Sequence, residues 1–234
     1  MASPVKPWLD QAGRFPIAHI GGIPHFNEGV HLDAPRTGVL HTTEGGWPGS
    51  LAIFKHHFAP HFMLGYDVDA QKVRIAQLVQ VGTIGAALVT HNNQAIVQIE
   101  MVGRSKTTPW LPDDETAAAL ASLMAVCQEE YGIPLEHPWA DGDFGKAGDN
   151  PHRSSGKFGH TSGWYGHGDC PSPDTHWDPG NLEWSQVFNM AQQIASNIGG
   201  AAQPAMAGPA AMAHNVVSLR PAKTKKRAHR KDAA

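Results

Sequence analysis

Fifteen histidines against two cysteines, Cys127 and Cys170, set the chemistry this chain can attempt. Histidine offers acid–base work near neutral pH and neutral nitrogen ligands for a metal. Two cysteines exclude a disulfide scaffold and any CxxC zinc ribbon. Two segments concentrate the suitable residues. The first is Gly38-Val39-Leu40-His41-Thr42-Thr43-Glu44-Gly45, a histidine at the exit of an apolar run. The second is Gly166-His167-Gly168-Asp169-Cys170-Pro171, followed by His176-Trp177-Asp178-Pro179-Gly180. A catalytic zinc site takes three protein ligands from His, Asp, Glu or Cys and keeps a fourth position open. His41, His167 and Asp178 can supply them, but spacing alone does not single out this trio. Cys170 is a rival third ligand, and His160 is a rival to His167.

Other chemistries leave no trace. The chain has no HExxH, Walker A loop, GxSxG elbow or GxGxxG after a strand. Ser154-Ser155-Gly156-Lys157 matches SxxK, but it lies in a glycine-rich loop without the partner motifs of serine acylation.

The elements that must position these residues follow from periodicity and punctuation. Residues 1–35, broken by Pro and Gly, read as a wrapped arm with little regular structure. Gly38 to Thr43 reads as a short buried strand, and Ser50 as the cap of a helix reaching Phe58. Phe62–Val68 and Val73–Val81 read as a hairpin, and Ala95–Val102 as a strand covered on both faces. Asp113 and its neighbours can start a helix whose Leu120, Leu123, Met124, Cys127 and Tyr131 share one face, with Gly132 and Pro134 ending it. Cys127 on that stripe is a core residue. Residues 137–180 read as loop, and a last helix runs from about Leu182 to Ile198. This order predicts an α/β fold: one domain with a central mixed β-sheet flanked by helices.

Composition bounds the rest. With 234 residues, 41% hydrophobic and seven Trp, the chain can bury a sizeable core, and no apolar run approaches the ~18 residues of a membrane span. No signal peptide is read at the N-terminus. From Ala201 onward seven basic residues, Arg220 to Lys231, face the single acid Asp232, although the whole chain carries a net charge of −3. An acidic body with a basic tail after an Ala/Pro/Gly linker suits a disordered tail drawn to an anionic surface. Such a tail lacks the aromatic interleaving of a nucleic-acid binder, so no nucleic-acid partner is expected.

The stretches GVLHTTEGG, PHFMLGYDVD, QIEMVG, EYGIP, GWYGHGD and HWDPGN, in this order, resemble the zinc-dependent N-acetylmuramoyl-L-alanine amidases of type 2. The resemblance is strongest to amidase modules of endolysins from phages of actinobacteria, and the fold is shared with peptidoglycan recognition proteins. It implies a single amidase domain over 36–198, between an arm (1–35) and a linker with basic tail (199–234). It implies Zn²⁺ held by His41, His167 and Asp178, with Glu100 and His176 as catalytic groups. His61 and Thr42 are the candidate substrate contacts, with a packed core histidine the equal alternative for His61. Glu100 matches the acid facing the attacking water, and His176 the oxyanion-stabilising position. Two departures stand out. The His167–Asp178 interval is about one residue longer than the family pattern, so the loop should bulge. The usual Trp-His-Ala segment is replaced by Ala86-Ala87-Leu88-Val89.

The implied function is a peptidoglycan hydrolase, an endolysin cutting between N-acetylmuramic acid and L-alanine. A cytosolic muropeptide-recycling amidase and a non-catalytic peptidoglycan-binding module of the same fold are the alternatives. A monomer is expected, held in the host cytoplasm until a holin releases it to the wall, with the tail on anionic envelope polymers.

Overall fold

The computed structural model describes residues 5–24, 26–29, 35–139, 151–154 and 156–201. In chain order the strands are β1 (Gln11–Ala12), β2 (Phe15–His19), β3 (Phe26–Gly29) and β4 (Thr37–Thr42), then helix α1 (Trp47–Phe54). Next come β5 (Phe62–Asp67), β6 (Lys72–Gln77), β7 (Thr83–Ile84), β8 (Val97–Met101), β9 (Lys106–Trp110) and helix α2 (Asp114–Tyr131). The chain continues through β10 (Gly163–Gly166) and β11 (Gly180–Leu182) into helix α3 (Trp184–Ala201).

Seven strands form the main sheet in the order β1-β2-β6-β5-β8-β4-β10. The β5–β6 and β1–β2 pairs are antiparallel, and the others are parallel. Side-chain alternation divides the sheet between two cores. Leu40, Phe62, Leu64 and Ile99 pack beneath α2 and α3, joining Leu120, Met124, Trp184 and Val187. Met63 and Ala76 turn to the other face, toward Trp47 and Phe54 of α1. The fold is thus the mixed sheet between helical layers that the element order predicts.

The helix α2 begins as its sequence dictates. Asp113 Oδ1 accepts from the Thr116 amide at 3.0 Å, and Gly132 closes the helix in the left-handed conformation at φ +70°. Ser50 does not cap α1. The helix starts earlier, at Trp47 with a proline in its first turn, and the Ser50 hydroxyl donates back to the Gly46 carbonyl at 3.0 Å.

Two expectations need correction. The segment before Pro35 is not merely an arm: β2 lies between β1 and β6, and Leu9, Ala12, Phe15 and Ile17 enter the main core. Pro16 masked the in–out alternation of Phe15-Pro16-Ile17. Residues 137–180 are not wholly loop either. Within them β10, too short and glycine-bounded to show a period, pairs in parallel with β4. The linker and basic tail lie outside the described residues.

Candidate active site

The site forms where the central parallel strands end. His41 is the penultimate residue of β4. The register pairs Gly166 with Leu40, so His167, one residue past β10, arrives beside His41. Asp178, just before β11, completes the group, its Oδ2 accepting from the Thr42 amide at 3.2 Å. Both histidines turn Nδ1 inward: these atoms are 3.0 Å apart, and each lies 3.5 Å from an Asp178 oxygen. All three side chains are buried.

Two imidazole nitrogens and a carboxylate converging in this way suit a metal cation, and the protonation balance agrees. Burial, aided by the charge of His167, pushes His41 down to about 4. His167 is lifted to about 9: its burial acts downward, but hydrogen bonds to Asp174 and Asp178 outweigh it. Asp178 is held far below the usual carboxylate range, because both histidines outweigh its burial. The group therefore demands positive charge at its centre. The N, N, O donor set is one that Zn²⁺ accepts.

A residue that sequence reasoning missed orients this trio. Asp174, itself buried, accepts from His167 Nε2 at 2.8 Å through Oδ2, which aims the opposite ring nitrogen at the site. Its Oδ1 accepts from the His176 amide at 2.9 Å and bonds His176 Nδ1 at 2.8 Å. The His176 ring is thereby stacked on His167, with centroids 4.0 Å apart. The long loop between His167 and Asp178 is clamped by Arg153. One of its guanidinium nitrogens donates to the Cys170 and Asp174 carbonyls at 3.0 and 2.6 Å, and the other donates to the His176 carbonyl. Only the Asp174-Thr175-His176 spacing hinted at the first role. Nothing in sequence pointed to Arg153.

Glu100 also borders the site. Burial and the charge of Asp178 push its carboxyl well above the usual range, and its Oε2 has no hydrogen-bond partner. A cleft of about 650 Å³ opens over these groups, lined by Thr42, Glu100, His167, His176 and Asp178 among others.

The remaining expected residues fall in varied places. Thr42 lines the cleft, but its hydroxyl is engaged with Glu44 and Ser105, each at 2.7 Å. His61 does not face the cleft. It is fully buried, Nδ1 accepts from the Gln98 amide at 3.0 Å, and Nε2 donates to the Thr83 carbonyl at 3.0 Å. Both ring nitrogens serve the fold, so the substrate-touching role expected for His61 is withdrawn. Cys170 packs in the core with Val39 and Tyr165, and His160 is exposed and does not line the cleft.

The chain belongs to the N-acetylmuramoyl-L-alanine amidase family (Amidase_2), whose profile matches residues 31–181, and is thereby an amidase acting on peptidoglycan. Among solved structures it is similar to the hydrolase AmiA of Staphylococcus aureus in complex with its ligand. That match has 13% identity and a TM-score of 0.52 over 81% of this chain and 87% of that one. It is also similar to the endolysin amidase LysCS from Clostridium intestinale URNW, at 14% identity and a TM-score of 0.47 over 75% and 95% of the two chains. The Ph2119 endolysin from the Thermus scotoductus MAT2119 bacteriophage aligns at 16% identity and a TM-score of 0.45, over 75% and 98%. At 13% identity the likeness to AmiA shows the fold. No curated protein sequence matches the chain.

Proposed function

We propose that this amidase is a zinc-dependent endolysin that cleaves the bond between the lactyl carbonyl of N-acetylmuramic acid and L-alanine. The observation that carries the reading is the convergence of His41, His167 and Asp178 beside a buried, unpartnered Glu100. Zn²⁺ held by the three would polarise the amide carbonyl and acidify water. Glu100 takes the proton of the water that attacks the lactyl carbon. It then returns that proton to the alanine nitrogen as the C–N bond breaks, leaving a lactyl carboxylate and a free peptide amino terminus. Burial raises the proton affinity of this carboxylate, which suits it to taking that proton and holding it between the two steps. His176, fixed by Asp174 and stacked on His167, donates to the oxyanion of the tetrahedral intermediate.

Digestion of purified peptidoglycan followed by mass spectrometry tests this reading. New L-alanine amino termini support it; new reducing sugars would defeat it. A recycling amidase would share this active site and act only on soluble muropeptides, so release from intact walls favours the endolysin. A non-catalytic module would bind walls without releasing peptide.

The seven basic residues of the tail support docking on anionic envelope polymers. Truncation after Ala213 should then weaken binding to intact envelopes at low salt while leaving soluble muropeptide hydrolysis unchanged. Superimposable salt titrations of the two forms would rule the docking out. No helix among the described residues is long and apolar enough to cross a membrane. Accumulation in the host cytoplasm until holin-dependent release fits the endolysin reading, and fractionation of expressing cells before and after holin induction tests it.

A further inference from the structure

The cleft over the catalytic groups has a polar lining and an apolar lining. One carries Glu44, Glu100 and Asp178 with the two histidines His167 and His176. The other carries Ile53, Phe58, Leu88 and Val89. Ile53, Phe58 and Val89 are 56%, 66% and 57% exposed, so half of the large, strongly exposed apolar side chains among the described residues face this one cleft. Phe58 is also held at φ +57°, a conformation that costs a non-glycine residue free energy and that gathers at functional sites. Concentrated exposed apolar surface beside a catalytic group marks a surface that substrate covers.

The backbone of residues 86–88 along the apolar lining offers substrate few donors. The amide of Ala86 donates to the Ala59 carbonyl, that of Ala87 to Gln98 Oε1 and that of Leu88 to Asn92 Oδ1, each at 2.8 Å. Three successive backbone N–H groups are therefore engaged within the protein. In the polar lining, Glu44 Oε1 accepts from the Ser105 amide and the Thr42 hydroxyl, each at 2.7 Å. Among the described residues lining the cleft there is no Lys or Arg.

A stem peptide entering this cleft places its second residue within roughly 7 Å of the scissile carbonyl, two residues of extended chain. That residue is a γ-linked D-glutamate whose α-carboxyl is either free or amidated. A free carboxylate there would leave water for a cleft lined by Glu44 and apolar side chains without a lysine or arginine, an uncompensated desolvation. A carboxamide carries no charge and lies against the same lining without that penalty.

Building on the amidase reading, we infer that the cleft selects stem peptides whose second residue is amidated, D-isoglutamine, over those carrying free D-glutamate. Ile53, Phe58, Val89 and Glu44 are the selecting groups.

The experiment compares N-acetylmuramoyl-L-alanyl-D-isoglutamine with N-acetylmuramoyl-L-alanyl-D-glutamate as substrates of the full-length, zinc-loaded chain. We expect kcat/KM to favour the amidated compound by about tenfold or more. Val89→Arg, at an exposed position that accommodates a long side chain, should narrow the ratio severalfold by raising the rate on the glutamate compound. Equal rates on the two compounds, or a preference for glutamate, overturn the inference. Failure to cut either, with no new L-alanine amino termini from whole peptidoglycan, would instead sink the amidase reading beneath it.

Discussion

Glu100 stands directly opposite His41 in the parallel register of β8 and β4. Paired residues of adjacent strands point to the same face of a sheet, about 4.8 Å apart. Hydrogen bonding between two central strands therefore sets the acid beside the first candidate ligand, without help from any loop. Met63 of β5 pairs with Glu100 from the other side, so the acid is embedded in three strands. The rest of the site is built on loops, and that difference governs which substitutions should be local in effect.

Glu100→Gln should therefore keep the fold and the metal while kcat falls by about 10²–10⁴, the range for a positioned acid–base group. Burial and the charge of Asp178 act against a carboxylate here, and glutamine matches the carboxyl in size without a charge, so thermal stability should hold. Turnover near that of the unaltered protein would remove Glu100 from the mechanism.

Metal analysis separates the three candidate ligands from their rivals. Chelation should abolish hydrolysis, and Zn²⁺ should restore it. His41→Ala, His167→Ala and Asp178→Ala should each lose most of the bound metal, since two remaining ligands make a poor site. Cys170→Ser should keep full metal content, because the thiol is enclosed in a separate core cluster. Loss of zinc in Cys170→Ser with retention in Asp178→Ala would overturn the ligand set.

The parts that the sequence made legible are those governed by local rules. The α2 helix is marked by its apolar stripe, its Asp113 cap and Gly132, and the β5–β6 hairpin by two apolar runs around Asp69-Ala70-Gln71-Lys72. The trio His41, His167 and Asp178 came from short motifs in a fixed order, and it meets in space. What stayed hidden depends on tertiary placement. The strands β2 and β10 are too short and too interrupted by Pro and Gly to show a period, yet β10 delivers His167. Asp174 and Arg153 act only once a loop folds back on itself. His61 stayed open between groove and core, because a buried histidine bridging two backbone groups looks, in sequence, like one lining a groove.

The loop between His167 and Asp178 should depend on the clamp from Arg153. A planar guanidinium reaches three carbonyls at once, and a lysine ammonium cannot reproduce that fork. Arg153→Ala and Arg153→Lys should both lower kcat more than they raise KM, and added guanidinium should partly restore the alanine variant. Asp174→Asn acts nearer the metal and should weaken zinc affinity by about 10–100-fold, as losing the partner of a ligating histidine does. Unchanged affinity in Asp174→Asn, measured against a competing chelator, would show that His167 is oriented by other contacts.

Acid stability should report His61. Burial drags its pKa from 6.5 to about 4, although its bond to the Thr83 carbonyl acts upward. The side chain donates from Nε2 and accepts at Nδ1, and protonation would destroy the second of these bonds. Above pH 6.5 the ring is neutral whether the chain is folded or not, and its contribution to stability is complete. As the pH falls from 6.5 toward 4 the unfolded chain takes up a proton that the folded chain refuses, so stability declines. Below about 4 both forms are protonated and the decline from this group ends. The lowered pKa corresponds to about 3 kcal/mol across that window, taking ~1.4 kcal/mol per unit. His61→Gln should be less stable at pH 7.5 yet lose less on acidification, so that urea denaturation curves of the two proteins converge toward pH 4. The groups around the metal titrate in both proteins and cancel in the difference. Parallel declines in the two would place the acid sensitivity on groups other than His61.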